Sequence, residues 1–441
     1  MPSGTLPLQS PGHQSPMSPP RTDLSSRDDP VITGIGAVTP MGLDAPETWR
    51  RLLAGESGVG PITAFDASSF PVRIAAEVRG FDGEQVMGTK RYRRSARFSQ
   101  LAVAAAREAF ADAGLAPGAG IESVADHERV GVVVNTAVGG IPETEVNIRS
   151  LISQGVRGVS PYYVPETIPN MPACEVAIDL GLHGPVTASA LACASGNAAL
   201  LEARRLILAG EADVVLAGGT DAGITPVMFA GLANMGPLSA RNDEPEQASR
   251  PFAADRDGFV YGEGAVVFVI ESAAHARDRG ARLYASVAGG ALTADGFHIS
   301  HPDPTGRQPR RALRLALERT GTDPGDVDYI AAHGTATRIN DAVETAVIRD
   351  VFGADADDLL VSSIKSMVGH MLGAAGAISA LSCVLGMRDG ILAPTTNLHA
   401  PDPACDLDYI PNVARRASVK TALVNAFGFG GQNCVLVLRA P

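Results

Sequence analysis

The chain is poor in lysine: of its 36 lysines and arginines, only Lys90, Lys365 and Lys420 are lysine. A compact ammonium whose pKa shifts with its surroundings is not replaced by a guanidinium fork, so Lys365, in the serine-rich run Ser362-Ser363-Ile364-Lys365-Ser366 and five residues before His370, attracts notice. Long apolar runs are missing too. No stretch reaches the roughly 18 consecutive apolar residues of a membrane-spanning helix, and the N-terminus lacks the basic start and apolar core of a secretory signal. Neither a membrane span nor an anchor is expected. Positive charge is not in excess: the formal net charge of −12 argues against nucleic acid as a partner. The five cysteines, Cys174, Cys193, Cys383, Cys405 and Cys434, are scattered without CxxC spacing, which excludes a dense disulfide framework and a zinc ribbon. A reducing cytoplasm is the expected compartment, with all but Cys193 serving as small buried hydrophobes.

What the chain does have is enough apolar material for a large core. At 441 residues and 45% hydrophobic content, two domains or one large duplicated unit are expected. Residues 1–30 hold seven prolines and six serines with little apolar clustering, a composition that cannot offset the entropy of ordering and predicts a flexible tail. From Val31 the pattern changes. Apolar, β-branched runs recur at VITGIGAVTP, RVGVVVNTA, ADVVLAGG, GAVVFVIES, LYASVAGG, DYIAAHGT, LLVSSI, KTALVNAFG and CVLVLR, each predicting a buried strand. Between them lie alanine-rich helical segments, among them SQLAVAAAREAFADAG, SGNAALLEARRLILAGEA, GRQPRRALRLALERTG and GAAGAISALSCVLGMRDG. This alternation predicts α/β layers with sheets covered on both faces. GAAGAISALSC, almost without polar residues, is expected between two sheets. The arrangement occurs twice, over residues 31–282 and again over 283–441.

The chemistry concentrates in three segments: ACASGN with Cys193, HGTAT with His333, and KSMVGH with Lys365 and His370. Cysteine is a good nucleophile as thiolate, which the N-terminus of a helix favours. The small residues of VTASALACASG, followed by a helical pattern beginning at or just after Cys193, predict that kind of elbow. Each histidine is read as following a strand. The cysteine falls in the first half and both histidines in the second, so a site built from all three lies where the halves meet. Rival readings are an inert small cysteine in a tight turn and a metal site. Against the metal stands the lack of a third ligand at zincin spacing, and no metal is expected.

Taken together, ACASG, SRPFAADRDGFVYGEGA, TADGFHISHPDP, AAHGTATRINDAVE, SSIKSMVGHMLGAAGA, PTTNLHAPDP and NAFGFGGQN resemble the elongating β-ketoacyl-acyl carrier protein synthases of the thiolase superfamily, from about residue 31 to 441. The resemblance implies a thiolase-like fold, with two similar halves in a five-layer α-β-α-β-α arrangement. It implies that Cys193 accepts an acyl group from acyl carrier protein and that His333 and His370 act in decarboxylative condensation with malonyl thioester. Lys365 and Glu344 would keep the site in register, Glu344 having the alternative of a solvated helix residue. The N–H of Phe429 would join that of Cys193 as an oxyanion hole, with Phe429 gating the acyl pocket and Phe427 beside it in the substrate site. Thr335 and Thr337 match positions that bind the phosphopantetheine arm. Val138 matches one that limits chain length, and Tyr163 one that a partner subunit contributes to the pocket floor. Lys90, Arg91, Arg93, Arg94 and Arg97 form a basic cluster suited to the acidic helix of a carrier protein, or a solvated helix face. No cofactor is implied beyond the carrier's phosphopantetheine.

Two features point within this family. Arg338 stands where fatty-acid elongators usually have proline, and TRIND more resembles ketosynthase subunits of bacterial type II polyketide systems, which the proline-rich tail also suits. Polyketide assembly is therefore expected, as a homodimer or a heterodimer with a chain-length factor, and fatty-acid elongation is the runner-up. A non-catalytic chain-length partner would lack the cysteine. A thiolase would need a second catalytic cysteine, whereas Cys434 lies beyond NAFGFGGQN inside the last apolar strand, and an initiating synthase would carry asparagine in place of the second histidine.

Overall fold

The computed structural model describes residues 29–115 and 126–441. The expected tail lies outside the described residues except for its last two positions, and these belong to the body: Asp29 is buried and paired with Arg204 at 2.7 Å, and the Pro30 carbonyl accepts from Val287 N–H.

Ten strands form one continuous sheet. Five come from the first half: β1 (Val31–Val38), β2 (Val130–Asn135), β3 (Val186–Thr187), β4 (Val214–Asp221) and β5 (Gly264–Glu271). Five come from the second: β6 (Ala285–Ala294), β7 (Tyr329–Ala331), β8 (Leu360–Ser362), β9 (Thr421–Gly428) and β10 (Gln432–Arg439). Their spatial order is β8-β7-β9-β10-β6-β1-β5-β4-β2-β3. Counted within each half, both sets run third, second, fourth, fifth, first. The directions repeat as well: β2 is parallel to β3 and β4, β4 antiparallel to β5 and β5 to β1, while β7 is parallel to β8 and β9, β9 antiparallel to β10 and β10 to β6. The halves join where Val31 and Ile32 pair with Ser286 and Ala285. This is a duplication that no sequence repeat reveals.

Helices cover and fill this frame. On the outer face of the first half lie α1 (Arg97–Asp112) and α2 (Met171–Leu180); α3 (Ser195–Leu208) is internal. On the outer face of the second half lie α4 (Arg307–Thr320) and α5 (Arg338–Phe352), and α6 (Ala375–Asp389) is internal. α3 touches β2 and β4 of one half and β6 and β10 of the other, and α6 touches β4 and β5 as well as β7 and β9. Five layers result, as expected, with two helices in the middle. The apolar pattern of α6 follows from this position: Ala375 through Gly386 are all buried, because a helix between two sheets has no face left for water. Among the described residues, no helix is long and apolar enough to cross a membrane.

Small residues allow the two central helices to meet. A Cβ on Gly196 would run into the backbone N of Ala377, and one on Gly376 would lie 2.8 Å from the backbone N of Asn197. Replacing Gly196 by alanine therefore overpacks the crossing, and G196A is expected to cost about 1–3 kcal/mol of stability, read as a lowered urea unfolding midpoint. An unchanged midpoint would show that the helices separate at no cost.

Candidate active site

Cys193 sits in the helical turn Ala192–Ala194, immediately before α3. The strand leading to it is shorter than the extended run of small residues predicts. β3 is only Val186–Thr187, and residues 188–191 have no ladder. Ala192 takes a left-handed φ of 46°, and this turns the chain so that Cys193 enters the interior, 4% exposed. The second half repeats the device. Leu372 has φ 41° and opens the turn Leu372–Ala374 before α6. In this correspondence, Gly373 occupies the place of Cys193.

His333 lies two residues after β7, and its 3% exposure buries the ring. His370 does not follow a strand directly: the single helical turn Lys365–Val368 intervenes after β8. Its main chain is held by the YGEG segment, His370 N–H donating to the Val260 carbonyl at 2.7 Å and Gly262 N–H to the His370 carbonyl at 2.9 Å. His370 Nε2 is 3.0 Å from Cys193 Sγ, and the two imidazoles stand edge to face with centroids 5.5 Å apart. Phe427 flanks His333 and Phe259 flanks His370. The sequence reading found Phe427 and missed Phe259, although it sits in the quoted SRPFAADRDGFVYGEGA motif.

Burial sets the resting charge of this trio. It holds both imidazoles well below the ordinary histidine range, with the nearby Lys365 charge acting in the same direction. Both are therefore neutral at pH 7, each able to give one hydrogen bond and take one. Burial pushes the Cys193 thiol up to about 11, opposed by the Lys365 charge and the backbone N–H groups of Phe429 and of Cys193 itself. Lys365 is lowered to about 8 by burial, against the charges of Glu344, Cys193 and Asp341. Among the described residues, the Nδ1 atoms of both histidines have no hydrogen-bond partner. Neither tautomer is locked, so each Nε2 is free to accept a proton or to present one.

Glu344 is 1% exposed, which removes the solvated-helix alternative. One carboxylate oxygen accepts from His333 N–H at 2.8 Å and from Asn425 Nδ2 at 3.0 Å, and the other from Gly334 N–H at 2.8 Å. Asp341, one turn earlier on α5, accepts from the N–H groups of Thr335 and Phe252. α5 thus clamps the HGTAT loop with two buried carboxylates. Arg256, 1% exposed, closes the loop from below by donating to the carbonyls of Thr337 and Arg338 while pairing with Asp402. Asn425, Asp341 and Arg256 were not singled out from sequence; Asp341 lies in the quoted NDAVE run, three residues before Glu344 on the same helical face.

Asp221, another residue the sequence reading passed over, ends β4 and is completely buried. Its carboxylate accepts from Thr136 Oγ1 at 2.6 Å and from the N–H groups of Gly373 at 2.5 Å, Ala137 at 2.9 Å and Val138 at 3.2 Å. It therefore fills the place that, in the other half, faces the Cys193 side chain. Burial raises it to about 6 despite these donors.

A cavity of about 410 Å³ opens from this trio to solvent, lined by Cys193, His333, His370, Glu344, Thr335, Thr337, Phe427 and Phe429 among others. Such a volume suits a small ligand or an extended arm. Val138 is not in the lining; it packs beside Cys193 in a separate apolar cluster with Phe229 and Tyr261. Tyr163 opens the short helix Tyr163–Thr167, away from this cavity. The arginine cluster divides. Arg91 pairs with Glu175 and Asp179, and Arg97 with Glu263, which commits those guanidiniums to the chain itself. Lys90, Arg93 and Arg94 are exposed, Arg94 lying over the Tyr162 ring. Of the cysteines expected to be buried, Cys383, Cys405 and Cys434 are, but Cys174 is half-buried, because α2 is an outer helix that buries only its Pro172, Ala173, Val176 and Ala177 face. Cys193 Sγ and one ring nitrogen from each of His333 and His370 all lie within 4.8 Å of one another, a grouping that linear spacing did not disclose.

A thiol, two neutral imidazoles and two backbone N–H groups thus meet at the junction of two thiolase-like halves. The chain belongs to the β-ketoacyl synthase family: residues 28–276 match the family described as "Beta-ketoacyl synthase, N-terminal domain" and residues 284–399 "Beta-ketoacyl synthase, C-terminal domain". It is 45% identical over 408 residues, 92% of this chain and 97% of the relative, to a protein of Coxiella burnetii (strain RSA 493 / Nine Mile phase I) named 3-oxoacyl-[acyl-carrier-protein] synthase 2. Among solved structures it resembles a type II polyketide ketosynthase described in complex with its acyl carrier protein (TM-score 0.85, 32% identity), covering 94% of this chain and 100% of that one. It also resembles the ishigamide ketosynthase/chain length factor (TM-score 0.87, 34% identity, 94% and 100% covered).

The Glu344 clamp can be tested alone. In E344Q one acceptor oxygen becomes an amide donor facing a backbone N–H, so the variant is expected to lose about 1–3 kcal/mol in a urea unfolding curve. Parental stability would show that the carboxylate does not hold the loop.

Proposed function

We propose that this protein is an elongating β-ketoacyl-acyl carrier protein synthase that serves type II polyketide assembly, with Cys193 as nucleophile. The observation that carries the reading is the 3.0 Å approach of His370 Nε2 to Cys193 Sγ beside a second neutral imidazole. In the first half-reaction the thiol proton passes to His370 Nε2 and sulfur attacks the acyl thioester. Charge on the carbonyl oxygen meets the N–H groups of Cys193 and Phe429, and the carrier thiol leaves with the proton. In the second, malonyl thioester loses carbon dioxide. The electron pair of the broken C–C bond moves into an enolate whose oxygen accepts hydrogen bonds from His333 and His370. That carbon then attacks the Cys193 thioester, a new C–C bond forms as the C–S bond breaks, and the sulfur leaves as thiolate and takes up one proton from solvent. Donors aimed at charge that exists only along the reaction path lower its barrier. The unpartnered Nδ1 atoms allow His370 to accept a proton in the first step and donate a hydrogen bond in the second.

Lys365 and Glu344 act as positioning residues in this scheme, and Phe429, 38% exposed at the cavity wall, as its gate. Thr335 and Thr337 bind the carrier's phosphopantetheine, the one prosthetic group the reading requires. Val138 limits chain length from behind the nucleophile, and Tyr163 serves the pocket of a second subunit, identical or a chain-length factor. Carrier docking falls to Lys90, Arg93 and Arg94. The division of the chain at 282/283 and a cytoplasmic location complete the reading. Arg338, the TRIND run and the likeness to two polyketide ketosynthases favour that pathway. Fatty-acid elongation is the second reading, favoured by the 45% identical relative named as a 3-oxoacyl synthase. Retention of Cys193 with both histidines opposes a non-catalytic partner.

Purified protein with malonyl-loaded carrier and an acyl primer is expected to release carbon dioxide and form a 3-oxoacyl product. C193A should show no acyl-enzyme adduct by intact mass, and an adduct in that variant would overturn the assignment. H333A should still be acylated while condensation falls roughly hundredfold or more. Equal loss of both steps would make His333 structural. Native co-purification with a homologous subunit lacking the cysteine would decide for the polyketide pathway.

A further inference from the structure

Resting on the reading above, we propose that Arg338 is the phosphate-binding residue at the cavity mouth, selecting thioesters whose pantetheine arm carries a 4′-phosphate. One wall of the cavity is a single stretch of chain that rises from the reacting groups to solvent. His333 is 3% exposed, Thr335 5% exposed, Thr337 half-buried, and Arg338 exposed on the rim. The Thr335 and Thr337 hydroxyls are 3.0 Å apart along this path. A linear ligand with its thioester at Cys193 passes both hydroxyls and reaches Arg338 with its far end.

The rim position is rigid. Arg256 Nη2 donates to the Arg338 carbonyl at 2.8 Å and its Nε to the Thr337 carbonyl at 3.1 Å, while Asp341 holds Thr335 N–H. Among the described residues, the Arg338 side chain is tethered only through Nε, which reaches the Arg256 carbonyl at 3.4 Å. Among the described residues, no carboxylate lies within ion-pair distance of its guanidinium. Two half-buried acids line the cavity and both are engaged: Asp257 faces Arg241 at 3.7 Å, and Asp295 accepts from Asn433 Nδ2 at 2.7 Å and from Asp303 N–H at 3.1 Å. Arg338 therefore presents its terminal N–H groups at the mouth of a cavity in a chain of net charge −12. A planar fork of that kind matches two phosphate oxygens, and Asn340 and Ser300, uncharged residues of the same cavity lining, add hydrogen-bonding groups.

The test uses full-length protein and small thioesters, which removes the carrier's own surface from the comparison. Acylation of Cys193 by acyl-4′-phosphopantetheine and by acyl-pantetheine is followed by intact mass, and the ratio of the two second-order rate constants is taken for wild type, R338A and R338K. A charge-assisted contact of this kind predicts a wild-type preference of roughly tenfold for the phosphorylated arm. The preference should fall to about one in R338A and be intermediate in R338K, which keeps charge without the fork. A general loss of structure would lower both rates and leave the ratio unchanged. A wild-type ratio near one, or a preference kept in R338A, overturns the proposal. So does a defect of R338A seen only with intact carrier protein, which would assign Arg338 to acidic side chains of the carrier. Failure of both thioesters to acylate wild-type Cys193 would instead refute the acyl-transfer reading itself, and the proposal with it.

Discussion

The close crossing of α3 and α6 is the contact on which the rest of this structure depends. Gly196 and Gly376 let the two helix backbones meet, and because both glycines lie in the first turn, the contact also brings the two N-terminal turns together. One of those turns carries Cys193; the other follows directly on His370. Separate the helices and the thiol and imidazole, 177 residues apart in sequence, no longer share a hydrogen bond. Asn197, next to Gly196, secures the crossing by donating to the carbonyls of Val424 and Cys434 on β9 and β10. Packing of the core and assembly of the site are thus the same event.

Duplication gives two equivalent turns, and they carry different residues: Cys193 in one and Gly373 in the other. Each half ends its fourth strand beside the turn that opens the central helix of the other half. Where β9 ends, glycine and Phe429 leave room for the Cys193 side chain and an N–H facing it. Where β4 ends, Asp221 fills the corresponding space and satisfies the N–H of Gly373 permanently. The same backbone geometry sets N–H groups against a thiol at one end and a fully hydrogen-bonded buried carboxylate at the other. That joint also ties the Val138 loop to the loop after His370, so the wall beside the nucleophile and the mount of an imidazole share one buried carboxylate.

Electrostatics follow from the depth of the site. With Cys193, His333, His370, Lys365 and Glu344 all removed from water, desolvation dominates, pushing the thiol up and the imidazoles and ammonium down. Neutral imidazoles flanking a neutral thiol cost less to bury than a thiolate–imidazolium pair. The Glu344 and Asp341 carboxylates serve the main chain of the HGTAT loop and, among the described residues, make no hydrogen bond to either histidine ring.

Strand and helix positions were legible because sheets covered on both faces demand unbroken apolar runs, and a helix between two sheets demands an almost wholly apolar one; GAAGAISALSC announces its own place. That Cys193, His333, His370 and Lys365 belong together was legible because each sits in a short, chemically distinctive segment. Other features depended on partners distant in sequence. That β3 shrinks to two residues, that a helical turn precedes His370, that Glu344 faces inward, that Arg91 and Arg97 are consumed by Glu175, Asp179 and Glu263, and that Asp221 plugs the mirror position all follow from contacts across tens to hundreds of residues. Local pattern by itself determined which residues could react and which segments could be strands or helices, since those depend on side-chain chemistry and periodicity. Only the tertiary structure decided which charges are spent internally and which remain at the cavity, since that depends on what packing places within a few ångströms of each group.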